Sequence, residues 1–273
     1  HLIRVNERIR VAGKLISDAD LRRHTDAVLA ANAGEPLSFF EGMTIASFLA
    51  FTETPADLAL VEVGLGGRFD STNVFDAPCV SVITPIAFDH RDFLGNHLCQ
   101  IAWEKAGIIK QGRPVVCADQ TPDVTRTFRA EASYRSAPIR FLSEGCKITP
   151  AGSGRFDFQL DSVEIKDAAL ALDGPHQARN AGLALLALER SGLFTLEAEA
   201  ARQGLANASW PARMQTLQAG PVTDILRGKT VVLDGGHNPH AALAIQDALK
   251  DTAPVPIIMA MLGTKEARLF LET

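Results

Sequence analysis

The chain has 273 residues, room for one large domain or two ordinary ones, and its 47% apolar and 22% charged content is that of a protein with a packed core. A net charge of -5 argues against a general binder of nucleic acid or of anionic membrane. A local basic cleft remains compatible with that balance, because an anionic substrate needs positive charge only where it docks.

No apolar run approaches the roughly 20 residues that span a bilayer, and His1-Leu2-Ile3-Arg4-Val5-Asn6 carries no signal-peptide pattern. Cys79, Cys99, Cys117 and Cys146 are widely spaced with no Cys-x-x-Cys pair. That predicts small buried thiols in a reducing cytoplasm rather than disulfides or a zinc site. The chain lacks an initiator Met, and Ala267-Arg268-Leu269-Phe270-Leu271 reads as a helix cut short, so a piece of a longer protein is expected.

In chain order, Ser17-Asp18-Ala19-Asp20 starts a helix that carries Leu21, Val28 and Leu29 at helical spacing up to Gly34. Ser38-Phe39-Phe40-Glu41 fits a capping box that opens a second helix through Phe51. Leu58 to Val63 is a short apolar run ending in Gly64-Leu65-Gly66-Gly67; Cys79 to Ile83 and Pro114 to Ala118 are two more, with a helical stretch from His97 to Ile109 between them. Near-continuous apolar strands alternating with helices predict a parallel sheet covered on both faces.

The texture changes after Tyr134. Arg155-Phe156-Asp157-Phe158-Gln159-Leu160 alternates as a half-exposed antiparallel strand does, and two more strand-like pieces follow through Leu172. Pro175 to Ser191 and Leu196 to Asn207 read as helices, and Ser209-Trp210-Pro211 as a domain junction. Beyond it, a strand at 230–234, a helix at 241–249 and a strand at 255–261 predict a fresh βαβ unit. The expected organisation is therefore a domain over 1–210 and the start of another over 211–273.

Ligands of open α/β sheets bind beyond the carboxyl ends of the strands. Glu62, Asp89-His90 and Asp234 fall at such ends. A carboxylate inside an apolar run is costly to bury without a cation, so Glu62 asks for a metal or for an ion pair with Arg68 or Arg91. The residues alone leave His90 open as a helix cap, Lys105 as a solvated lysine, and His237-Asn238-Pro239 as a turn with Asn238 at the N-cap and Pro239 at the first helical position.

Taken together, Glu62-Val63-Gly64-Leu65-Gly66-Gly67-Arg68-Phe69-Asp70-Ser71-Thr72-Asn73, Phe88-Asp89-His90 with Leu94-Gly95, and Glu104-Lys105-Ala106-Gly107-Ile108 closely resemble folylpolyglutamate synthase/dihydrofolate synthase, a branch of the Mur-type ATP-dependent ligases. His1-Leu2 with Asn6-Glu7-Arg8-Ile9, His176-Gln177 with Asn180-Ala181, Pro211-Ala212-Arg213, and Asp234 with His237-Asn238-Pro239 extend the resemblance in order along essentially the whole chain.

The resemblance implies an α/β fold: a Mur-ligase-like central ATPase domain, mostly parallel sheet with a small antiparallel portion, and a truncated Rossmann-like C-terminal domain. It implies a cytoplasmic, monomeric ligase that joins the carboxylate of dihydropteroate or a folate to the amine of glutamate through an acyl phosphate made from ATP. Magnesium would offset the repulsion between the triphosphate and the carboxylate. By similarity Glu62 and His90 are its ligands, and Lys105 is the lysine carried as a carbamate. Asn180 corresponds to an adenine-side contact, Arg213 to a phosphate contact and Asp234 to a nucleotide contact, with His237 a further active-site residue. Ser38, Phe39, Phe40 and Glu41, with Phe69, Asp70 and Ser71, match where the pterin lies.

Departures are visible too. No Gly-Lys-Ser/Thr phosphate loop and no serine before Pro-His-Leu occur in these residues; Arg91 stands where threonine is usual, Gly236 where alanine is, and Thr264-Lys265-Glu266 where Asp-Lys-Asp is. The missing loop implies that the chain by itself is inactive. Two rival readings are a Mur ligase that builds peptidoglycan and a catalytically dead nucleotide-binding fragment.

Overall fold

The computed structural model describes residues 2–262 and 267–273, so the departure at Thr264-Lys265-Glu266 lies outside the described residues. Two units emerge, His1–Phe75 and Asp76–Thr273, and each is described by itself.

The first unit holds a 3-10 turn at Val5–Arg8, a short hairpin of β1 (Arg10–Val11) and β2 (Lys14–Leu15), and the helices α1 (Asp18–Asn32) and α2 (Phe39–Glu53). Ser17 caps α1 by accepting the Asp20 N–H at 3.0 Å. The predicted capping box opens α2: Ser38 Oγ accepts the Glu41 N–H at 3.2 Å, and the Glu41 carboxylate accepts the Ser38 N–H at 2.8 Å. Such caps contribute about 1 kcal/mol each. Ile9, Ile16, Met43 and Ala50 are buried together as the core of this unit.

Leu58 to Val63 is not a strand. An extended run becomes one only when a neighbour closes its hydrogen-bond ladder, and the run carries no strand assignment. Leu60 is 85% exposed, and Glu62 is exposed as well. The argument that burial forces a cation onto Glu62 therefore fails.

The second unit contains a parallel sheet built on two of the expected strands, those within 79–83 and 114–118, and on a third, at 139–141, that the sequence does not signal. Its order is β3 (Ser81–Ile83), β4 (Val115–Cys117), β5 (Ile139–Phe141). The helices α3 (Arg91–Leu94) and α4 (Leu98–Ala106) lie between β3 and β4 in sequence, and α5 (Pro122–Tyr134) between β4 and β5. Side chains alternate across the sheet. Val115 and Cys117, with Ile83 and Phe141, bury against Ala102 and Ala106 of α4 and Val124 and Phe128 of α5. Val116 points the other way, into a second core with Phe158, Ile165 and Leu186.

That second core is closed by the turn α6 (Leu142–Gly145), an antiparallel sheet of β6 (Lys147–Gly152), β7 (Arg155–Gln159) and β8 (Glu164–Ala169), and the helices α7 (Pro175–Ser191) and α8 (Ala198–Ala206). The alternation expected over 155–160 is imperfect. A register shift between Phe156 and Phe158 leaves Arg155, Phe156 and Asp157 all half-buried.

The predicted βαβ unit is only partly formed. The chain continues through β9 (Gln215–Thr216), α9 (Pro221–Ile225), β10 (Val232–Leu233), α10 (Pro239–Leu249) and α11 (Ala267–Glu272). β10 pairs antiparallel with β9, and 255–261 carries no strand assignment, with Ile258 92% exposed.

Among the described residues no helix is long and apolar enough to cross a membrane. All four cysteines are free thiols, but only Cys117 and Cys146 are buried as expected, since Cys79 is half-buried and Cys99 exposed; burial pushes the Cys117 thiol up to about 12 and that of Cys146 up to about 11.

Candidate active site

In the first unit the segments expected to hold the pterin come together around α2. Asp70 organises the glycine loop. Its Oδ2 accepts the Gly64 and Leu65 N–H groups at 3.0 and 2.8 Å, and its Oδ1 accepts the Thr72 N–H at 3.0 Å and the Thr72 hydroxyl at 2.5 Å. Gly64 lies under the Phe40 ring, where a Cβ would fall 2.4 Å from Cζ, so only glycine allows this approach. Phe39 and Phe69 are 63% and 82% exposed, with the Arg8 guanidinium 5.7 Å from the Phe39 ring centroid.

An open pocket of about 350 Å³ lies on α2, walled by Leu37, Glu41, Ile45, Phe48 and Val74 with Thr44 and Ser71 between them. The Thr44 hydroxyl donates to the Phe40 carbonyl at 2.8 Å and lies 3.2 Å from Ser71 Oγ. A hydroxyl has one hydrogen, so the second bond must be donated by Ser71. Ser71 then offers only lone pairs to the pocket, and Glu41 adds a carboxylate. Of the expected pterin residues Glu41 and Ser71 line this pocket, while Asp70 and Phe40 shape the loop beside it. Thr44 was not anticipated; nothing local in the sequence links it to a residue 27 positions on.

Asp70→Ala would remove the acceptor of four donors. The unit is expected to lose about 2–3 kcal/mol, and Asp70→Asn, which keeps one oxygen, to lose less. Denaturant midpoints of the two variants check the order.

In the second unit the loop after β3 carries Asp89 and His90. His90 has left-handed backbone, φ 50° and ψ 40°, and its N–H donates to Asp89 Oδ1 at 2.9 Å. A non-glycine residue held there costs about 1–3 kcal/mol and marks a position fixed by its surroundings. Asp89 Oδ2 lies 3.1 Å from Asn238 Nδ2 and 3.6 Å from His237 Nε2. Asn238 is the N-cap expected for α10, accepting the Ala241 N–H at 2.9 Å, with Pro239 in the first turn. His90 and His237 are thus gathered about one carboxylate.

Asp234 accepts the Met214 N–H at 2.8 Å and the Gly236 N–H at 2.7 Å. It ties the loop around exposed Arg213, whose neighbours Ala212 and Met214 both have positive φ, to the turn before α10. At the start of α7, exposed Asn180 donates to buried Gln177 at 3.1 Å, and His176 lies 3.1 Å from the Gln177 amide nitrogen. Burial pushes the His176 pKa below its usual value, partly offset by Asp234 and reinforced by Arg179, Arg213 and His240. Of the residues expected to contact nucleotide, Asp234 and Arg213 act on the charge of His176, while Asn180 bonds to its neighbour Gln177; the sequence assigns His176 itself no role.

A histidine whose folded pKa lies below the unfolded value of 6.5 leaves folding unaffected well above that pH; stability falls as pH drops below 6.5 and the unfolded chain takes up the proton more readily. His176→Gln is expected to flatten this acid limb, as read from denaturation midpoints between about pH 7 and pH 5.

Lys105 lies half-buried in the last turn of α4. Among the described residues no group of three or more His, Cys, Asp or Glu side chains is placed to hold a metal ion. Glu62 and His90 belong to different units.

No family profile matches the chain. It is 38% identical over 266 residues to the dihydrofolate synthase/folylpolyglutamate synthase of Bacillus subtilis, covering 92% of this chain and 59% of that protein. Among solved structures it is similar to Mycobacterium tuberculosis folylpolyglutamate synthase complexed with ADP and AMPPCP, at 33% identity and a TM-score of 0.84 over 97% of this chain and 62% of that one. It is similar also to E. coli FolC in complex with DHPP and ADP, at 29% identity and a TM-score of 0.87 over 100% of this chain and 63% of that one. The chain spans about three fifths of the length of each.

Proposed function

We propose that this chain, related over nearly its whole length to the folylpolyglutamate synthase/dihydrofolate synthase family, is part of a ligase that uses ATP to join glutamate to dihydropteroate or to a folate. The observation that carries the reading is the whole-chain likeness in sequence and fold to relatives of that activity. The pocket on α2 supports it, since a flat heteroaromatic ring fits between Leu37, Ile45, Phe48 and Val74 while its N–H groups meet acceptors at Glu41 and Ser71.

In this reading the substrate carboxylate attacks the γ-phosphorus of ATP, ADP leaves, and an acyl phosphate forms. The glutamate amine then attacks the acyl carbon, expels phosphate and loses a proton. Arg213 and the N-terminal end of α7 offer positive charge to phosphate oxygens. Asn180 and Asp234 take nucleotide contacts, and His237 stands beside the acyl-transfer centre. By the family resemblance, Glu62, a hard oxygen donor, and His90 are the residues that would hold magnesium. Magnesium would neutralise phosphate charge. We retain Ser209-Trp210-Pro211 as the proposed boundary between the ATPase domain and a C-terminal domain.

The test is glutamate-dependent ADP release by the complete gene product, with dihydropteroate and with a reduced folate as alternative acceptors. Release with either supports the reading and tells whether the first bond, chain extension or both are made. No release with both, from a folded protein, overturns it.

A further inference from the structure

We propose that Asp89 is a positioning residue that holds the His237–Asn238 turn and the start of α10 against the loop after β3. Its two oxygens are divided between the two segments. Oδ1 accepts the backbone N–H of His90 at 2.9 Å, while Oδ2 accepts from the Asn238 amide at 3.1 Å and lies 3.6 Å from His237 Nε2. The segments are 149 residues apart in sequence.

Asn238 is committed at both ends. Its amide nitrogen reaches Asp89, and its amide oxygen accepts the Ala241 N–H at 2.9 Å, so the bond to Asp89 fixes the first turn of α10 and not just one side chain. The His237 ring is oriented by the backbone, and not by a hydrogen bond to Asp89. A carbonyl can only accept, so the 3.0 Å approach of Nδ1 to the Gly235 oxygen places a hydrogen on Nδ1 and turns Nε2 toward Asp89. One carboxylate thus sets the distance between the His90 loop and the His237 turn, and no role assigned to those residues uses it.

The pair can be reversed. Asn238→Asp keeps a good N-cap but sets a carboxylate against Asp89; adding Asp89→Asn returns a donor and an acceptor to the pair with their places exchanged. Amide hydrogen exchange over 235–242 in this chain is the first readout. Exchange is expected to rise about 10-fold in the single variant and to return most of the way in the double variant, with the melting temperature little changed.

The second readout rests on the function proposed above. In the complete protein kcat should fall about 10-fold in Asn238→Asp and recover in the double variant, while the KM for dihydropteroate, whose proposed pocket belongs to the other unit, stays constant. Should Asn238→Asp fail to fold, Asn238→Ser, which can cap α10 but not reach Asp89, takes its place. Unchanged exchange in the single variant, or a double variant no better than the single, overturns the proposal. The expected exchange pattern in a protein that releases no ADP would overturn the function and leave the role of Asp89 intact.

Discussion

In the complete protein Lys105→Ala is expected to lose about 10²–10³-fold in glutamate-dependent ADP release, with bicarbonate or a short carboxylate restoring part of it. Lys105 sits in the last turn of α4, where the Gly107 N–H closes the helix on the Glu104 and Lys105 carbonyls. As an ammonium it would complement the negative end of the helix by about 0.3–1 kcal/mol. A carbamate there reverses that sign, so it persists only where nearby cations outweigh the helix terminus, as the proposed magnesium would. Lys105→Arg separates the two roles. It keeps the cation and cannot be carbamylated, so the fold should be as stable as before while the activity is lost. Full activity in either variant would remove the carbamate.

The second large effect is on stability. Phe158→Ala is expected to cost about 3–5 kcal/mol, the range for deleting a buried aromatic side chain that its surroundings cannot refill. Phe158 is fully buried at the centre of the core that joins β7, β8 and α7 to the rear of β4. The denaturant midpoint should fall with little change in slope. Phe69→Ala makes the contrast: with the ring 82% exposed, its stability change should stay within about 0.5 kcal/mol, whereas dihydropteroate affinity should drop if the ring covers the pterin. A Phe158 variant as stable as the parent would mean that the two sheets do not share a core.

Features set by neighbouring residues are legible in the amino-acid sequence. The Ser38–Glu41 box, the Ser17 cap and Asn238 with Pro239 all form where a donor and its acceptor lie within one helical turn. Two of the three parallel strands, β3 and β4, are legible as short apolar runs, whereas β5, Ile139-Arg140-Phe141, is broken by an arginine and carries no such signal. The same composition misleads at Leu58 to Val63 and at 255–261. Those runs look identical locally, and whether they become strands depends on a distant partner that a short window does not contain. The shift beside Phe158 is hidden for a related reason, since alternation in one strand says nothing of the register of the next.

The site divides the same way. The family pattern names Ser71, His90 and His237, but not what holds them. Thr44 orients Ser71 across 27 residues and Asp89 gathers the two histidine segments across 149, distances over which the sequence carries no periodic signal. Glu62 stands out in the sequence for a burial it does not have.

The hydroxyl chain from Ser71 through Thr44 to the Phe40 carbonyl runs one way only, so the backbone of α2 dictates the polarity of the wall beside the pocket. A ligand edge bearing N–H completes the chain, and one bearing a bare ring nitrogen faces lone pairs with lone pairs. Selectivity between a pterin and its deaza or oxidised isosteres would then be decided by a helix carbonyl that touches none of them.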